Sequence, residues 1–99
     1  MPTFEQLGTE IGQLVTKKNQ AYGDAAGKTA GILEHLYPSG IPVEKYPDAL
    51  LIIRTLDKFC RIADGDKKAF EENPWRDVAG YGLLGTMKEL RGDAQIENH

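Results

Sequence analysis

The sequence predicts an all-α fold, a compact bundle of about four helices. Three observations predict it. Apolar residues recur at spacings of three and four in several segments, the pattern of a helix with one buried face. Helix-capping residues stand where segments open, Thr3 in one case and Asn73 followed by Pro74 in another. No stretch alternates apolar and polar residues for long enough to make a strand.

Thr3 caps a first helix whose apolar stripe is Phe4, Leu7, Ile11 and Leu14. It is expected to end near Tyr22 and Gly23, where glycine can take the left-handed conformation that closes a helix. Residues 24–28 are small and include Gly27, so they read as a turn. A short helix over residues 29–36 follows, with Ile32, Leu33 and Leu36 as its apolar stripe. Pro38, Gly40 and Pro42 forbid regular structure over residues 37–42.

The third helix is expected from Tyr46 or Pro47 to Ala63, stopped by Gly65. Ala49, Ile52, Ile53, Leu56, Phe59, Cys60 and Ala63 form a wide apolar arc, and Leu51 and Ile62 lie outside it. The single charged sector is Arg54, Asp57, Lys58 and Arg61. A helix apolar on most sides is buried on most sides. Three neighbours in so short a chain cannot easily surround it, which predicts a homo-oligomer with this helix at or near the interface.

The fourth helix opens at Asn73 and Pro74 and carries Gly80, Gly82 and Gly85 inside it. Each costs roughly 1 kcal/mol relative to alanine. The expected compensation is close approach, by another backbone or by a ligand, where a side chain would not fit. Residues 1–91 are thus read as one helical domain, and residues 92–99 as a polar tail that frays.

Charge and composition remove several function classes. A net charge of -3 gives no general basic face for displacing counterions from DNA or RNA. The single cysteine, Cys60, cannot form an internal disulfide and falls in an apolar stretch, as a small core residue would. The N-terminus lacks an apolar signal core, and the longest apolar run, residues 49–53, is far too short to span a bilayer. The expectation is a cytoplasmic protein. His35, His99 and Cys60 have no metal-ligand spacing. Residues 23–29 nearly spell a phosphate-binding P-loop, but they are one residue short and follow a helix rather than a strand.

Three groups could carry chemistry. Arg54, Asp57 and Arg61 stand at i, i+3 and i+7, so one carboxylate can contact two guanidiniums. That leaves excess positive charge on fixed donors, which suits a phosphate or another anion; the plainer alternative is a solvated salt-bridge ladder. Asp77, Tyr81 and Lys88 line one stripe of the fourth helix and could bind Mg²⁺ or a polar ligand. Taken alone, the stripe is better explained structurally, with Asp77 as a favourable first-turn charge and Tyr81 as an interface aromatic. Lys18 and Tyr22 stand one turn apart at the end of the first helix, where Tyr22 could stack on a planar base.

These residues resemble a group of small phage-encoded proteins related to the nucleotide-modification-associated domain, near the MazG-like all-α NTP pyrophosphohydrolases. The matching pieces are Lys18 with residues 22–24, residues 57–62, and residues 76–84. The resemblance implies a helical bundle, oligomers and nucleotide-related ligands. It nominates Lys18, Tyr22, Asp57, Lys58, Arg61, Asp77 and Tyr81. MazG-like enzymes hold Mg²⁺ with Glu-x-x-Glu and Glu-x-x-Asp motifs, and neither occurs in this chain. Asp57 and Asp77 would be the ligands if the protein were a Mg²⁺-dependent hydrolase, with Glu72 or Asp48 as helpers.

The reading is therefore non-catalytic binding and sequestration of a nucleotide-derived small molecule, with no cofactor and no catalytic residue. The ligand-binding set is Lys18, Tyr22, Arg54, Asp57, Lys58, Arg61, Asp77 and Tyr81, and a phage counter-defence protein that soaks up a host immune signal would use it. The alternatives are a Mg²⁺-dependent pyrophosphohydrolase of nucleoside triphosphates and an inhibitor that docks on a host enzyme.

Overall fold

In a computed structural model that describes residues 1–65 and 73–97, the chain folds into four helices, with no strand among the described residues. They are α1 (Phe4–Ala21), α2 (Ala25–Leu36), α3 (Tyr46–Asp64) and α4 (Pro74–Glu97), with one 3-10 turn at Val43–Lys45. The all-α expectation holds, and no helix among the described residues is long and apolar enough to cross a membrane.

α1 begins with a reciprocal cap. The amide of Gln6 donates to Thr3 Oγ1 at 3.1 Å, and the amide of Thr3 donates to Gln6 Oε1 at 2.8 Å. Two free donors of the first turn are satisfied at once. Gly23 (φ 67°) and Asp24 (φ 52°) then reverse the chain in two left-handed residues. That compact reversal lets α2 start at Ala25, earlier than the sequence suggests, because Ala25 and Ala26 are strong helix formers once the turn is complete. α4 opens as expected, with Asn73 Oδ1 accepting from the amide of Arg76 at 3.2 Å. It continues through Gly92 to Glu97, where the sequence suggests a frayed tail.

α3 is the central helix and packs against both α2 and α4. Lys58 meets Asp77, Phe59 meets Trp75, Leu51 lies by Gly85, and Lys88 meets Asp48. As α3 numbers fall, α4 numbers rise, so the two helices are antiparallel. Phe59 and Trp75 touch edge to face, with ring centroids 6.3 Å apart, and fix the start of α4. On the other side, Thr29 of α2 donates to Asp57, and Lys28 pairs with Asp64.

This packing buries Ala49, Cys60 and Arg61 of α3 and leaves Tyr46, Leu50 and Phe59 exposed. Further large exposed apolar side chains stand on α1 (Phe4, Leu7, Ile11, Leu14, Val15) and on α4 (Leu83, Leu84, Met87, Leu90). α1 stands as an arm beside the bundle, with Ala21 its single buried residue. The radius of gyration, 17.6 Å, accordingly exceeds the roughly 13 Å of a compact chain this long.

The α4 glycines also differ from expectation. A methyl group added at Gly80 or Gly82 would meet nothing within 4 Å, and one at Gly85 would touch Leu51 at an ordinary 3.7 Å. Among the described residues, none comes close to Gly80 or Gly82. Close approach occurs elsewhere: a methyl at Gly23 would lie 2.5 Å from the carbonyl oxygen of Cys60, and one at Gly65 2.3 Å from that of Ala21. These two glycines let the α1–α2 turn press against the C-terminal end of α3.

Candidate functional site

A cleft of about 700 Å³ lies between the end of α1, the first turns of α2 and the charged sector of α3. α1 contributes Val15, Lys18, Asn19 and Tyr22; α3 contributes Ile53, Arg54, Asp57, Lys58 and Arg61; α4 closes one edge with Tyr81. Seven of the eight residues singled out from the sequence therefore line one cavity. The eighth, Asp77, adjoins it through Lys58, whose Nζ lies 3.2 Å from Asp77 Oδ2. Residues from three separate helices converge because Gly23 folds the α1–α2 turn down onto α3.

The α2 wall was not legible in the sequence. Ala25, Ala26, Thr29, Ala30 and Leu33 form it. Its signal was available as three alanines and a threonine on one helix face, hidden by reading residues 24–28 as a turn. Thr29 is buried, and its hydroxyl donates to Asp57 Oδ1 at 3.2 Å. Asp57 is thereby held in one orientation within the cationic sector.

Arg61 occupies an unexpected position. It is 1% exposed, and its guanidinium carbon lies 5.3 Å from the centre of the Tyr22 ring. At that distance the cation is attracted to the ring face. Arg61 thus forms the back of the cleft and orients Tyr22, while Arg54 on the previous turns is exposed. The sequence treats the two arginines alike because both fall in one sector of the helical wheel. Depth along that sector depends on α1 and α2.

Electrostatically, Lys18, Arg54, Lys58 and Arg61 gather at the cleft against the carboxylates of Asp57 and Asp77. A local positive excess within a chain of net charge -3 concentrates small anions at one place. The opposite wall, with Val15, Ala25, Ala30, Leu33 and Ile53, is apolar. The cleft therefore suits a molecule with an anionic part and a flat, weakly polar part.

A second hollow, a groove of about 610 Å³ between α3 and α4, contrasts with it. Leu51, Ile52, Leu56, Phe59 and Val78 line it, together with Gly82 and Gly85. Two of its polar side chains, Thr55 and Asp48, are engaged within the fold. The hydroxyl of Thr55 donates to the carbonyl of Leu51 at 2.7 Å, and Asp48 pairs with Lys88 at 2.9 Å. Hydrogen bonds to Asp48 and then Glu89 raise the Lys88 pKa above the ordinary lysine value. The sequence stripe Asp77, Tyr81, Lys88 is split in consequence: Lys88 serves the groove end, and Tyr81 lies between cleft and groove.

Among the described residues, no group of three or more His, Cys, Asp or Glu is placed to hold a metal ion. Asp48 lies at the groove rather than the cleft, and Glu72 and His99 lie outside the described residues. His35 Nδ1 is 2.9 Å from the Gly31 carbonyl oxygen of its own helix. Cys60 is buried, and desolvation pushes its thiol pKa up, the opposite of a nucleophile's environment. No family model, curated protein or solved structure matches the chain.

Proposed function

We propose that this protein binds a nucleotide-derived small molecule in the cleft and holds it without cleaving it. The observation that supports this reading best is the convergence of Lys18, Tyr22, Arg54, Asp57, Lys58, Arg61 and Tyr81 on one cavity. Lys18, Arg54 and Lys58 supply charge-assisted donors to phosphate. Tyr22, braced from behind by Arg61, offers its other ring face to a base, and Tyr81 covers the edge. Asp57, fixed by Thr29, accepts from an N–H of the base or a sugar hydroxyl. In this reading the protein is a cytoplasmic homo-oligomer of phage type that sequesters a host immune signal, with several pockets per particle.

Incubation with a panel of nucleotides and cyclic dinucleotides, followed by denaturation and chromatography, tests it. Intact ligand released from the protein is the expected result. A cleaved product overturns the proposal in favour of a hydrolase, and no bound nucleotide overturns it in favour of a protein-binding role. Arg54→Ala should weaken binding by roughly 1.5–3 kcal/mol, the size of a charge-assisted contact. Asp77→Asn should change it little, and binding should persist in EDTA. Turnover that needs Mg²⁺ and vanishes in Asp77→Asn would reverse the conclusion.

A further inference from the structure

Phe4, Leu7, Ile11 and Leu14 on α1 follow one another at spacings of three, four and three, and all four are exposed, Phe4 by 95%. Alternating three-four spacing is the seam of a two-helix coiled coil, in which each apolar side chain enters a hollow on a facing helix. Among the described residues, no helix covers that face. Most helical stability in proteins comes from packing an amphipathic face, and the 18 residues of α1 leave theirs exposed. The next seam position is Lys18, which lines the cleft.

We infer that α1 pairs antiparallel with α1 of a second copy, and that the pairing carries the partner's N-terminal turn to the mouth of the cleft. Charge selects both the occupant and the direction. Glu10 and Lys17 flank the seam on the same side, seven residues apart. In an antiparallel pair these flanking positions face each other, so Glu10 meets Lys17 of the partner subunit and the contact occurs twice by symmetry. Ile11 then meets Leu14 of the partner subunit. A parallel pair would set Lys18 against Lys18 of the partner subunit in the seam and would bring Glu10 beside Val15 of the partner subunit, with no ion pair.

The same register has a consequence for the cleft. Leu7 of the partner subunit packs along the aliphatic stem of Lys18, which lines the cleft. Phe4 of the partner subunit reaches the level of Ala21 and Tyr22. The cleft, open at that end in one chain, gains an apolar wall from the second. This holds whatever molecule the cleft takes.

Light scattering and sedimentation equilibrium of the full chain at tens of micromolar test the inference. The wild type is expected at twice the chain mass or a multiple of that. Leu7→Glu/Ile11→Glu is expected to lose that association while keeping the circular dichroism of the α2–α4 bundle, because α1 contributes little to it. Glu10→Lys opposes two lysines twice and should weaken association by about tenfold; adding Lys17→Glu should restore it. A wild-type mass of one chain overturns the inference, as does failure of the double charge swap to rescue. A mass that falls with Met87→Glu but not with Leu7→Glu/Ile11→Glu also overturns it, assigning the contact to α4. Binding of the monomeric wild type to anionic vesicles through Phe4 would overturn it in favour of a lipid surface.

Discussion

A methyl group added at Gly65 would lie 2.3 Å from the carbonyl oxygen of Ala21, whereas one added at Gly80 or Gly82 would meet no atom within 4 Å. The first glycine sits at the junction of the α1–α2 turn with the end of α3; the others sit in the middle of α4. At the junction, Gly23 and Gly65 allow backbone to touch backbone, and neighbouring groups secure the contact. Arg61 lies against Tyr22, Lys28 pairs with Asp64, and the amide of Gly65 donates to the carbonyl of Arg61 at 3.0 Å. On α4, Gly80 and Gly82 lower helix propensity with no compensating close contact among the described residues. The lesson concerns what a glycine's environment demands: at the junction the backbone leaves no room, and at Gly80 and Gly82 the described residues make no demand.

The largest expected effect is at Gly65. Gly65→Ala forces a Cβ onto backbone oxygen, which cannot swing away as a side chain could, so unfolding by urea should show a loss near the upper end of the about 1–3 kcal/mol range for overpacking. A loss below about 0.5 kcal/mol, the size of an ordinary surface substitution's effect, would break the contrast between the two regions. Arg61→Ala comes next. It removes a long, fully buried side chain and the brace on Tyr22, and should cost about 2–3 kcal/mol. It should also lower ligand affinity, whereas Arg54→Ala should lower affinity with stability unchanged. Equal stability losses for the two arginines would show that burial does not separate their roles.

Gly80→Ala and Gly82→Ala should act in the other direction and stabilise the fold by up to about 1 kcal/mol, the helix-propensity gain. If either instead lowers the melting temperature or the assembly mass, a partner or ligand approaches α4 there, and the groove beside Gly82 becomes the place to look. The smallest effect is pH-dependent. The hydrogen bond that Lys28 donates to Asp64 raises the Lys28 pKa above the ordinary lysine value. A cation whose folded pKa is raised contributes stability fully below its unfolded pKa and loses it as pH rises through the folded one. Thermal melts should therefore show a slight fall in stability above about pH 10.5 that Asp64→Asn abolishes. Persistence of the same fall in Asp64→Asn would detach this pair from the junction.

Much of the molecule was legible without coordinates, for local reasons. Thr3, Asn73 and Pro74 cap helices by hydrogen bonds and dihedral limits that act within four residues, and Pro38, Gly40 and Pro42 break the chain in the same way. The charged sector of α3 could be read from helical period alone, because Arg54, Asp57, Lys58 and Arg61 share one side of any helix. That those residues share a cavity with Lys18, Tyr22 and Tyr81 was not fixed by period. It required the reversal at Gly23 and Asp24, which brings α2 and the end of α1 against α3.

Tertiary packing alone decided which of two similar residues is deep. Arg61 and Arg54 are indistinguishable on a helical wheel, yet Arg61 is enclosed by Tyr22 and the α1–α2 turn while Arg54, two turns earlier, remains exposed. It also decided that Asp57 answers to Thr29, that Asp48 and Lys88 serve the groove, and that the α4 glycines touch nothing tight. Capping, breaking and amphipathic period are properties of neighbours along the chain, so the sequence by itself determined the helices and the faces they offer. Burial, and which glycine is crowded, depend on contacts between residues far apart in sequence, and those exist only once the helices have packed.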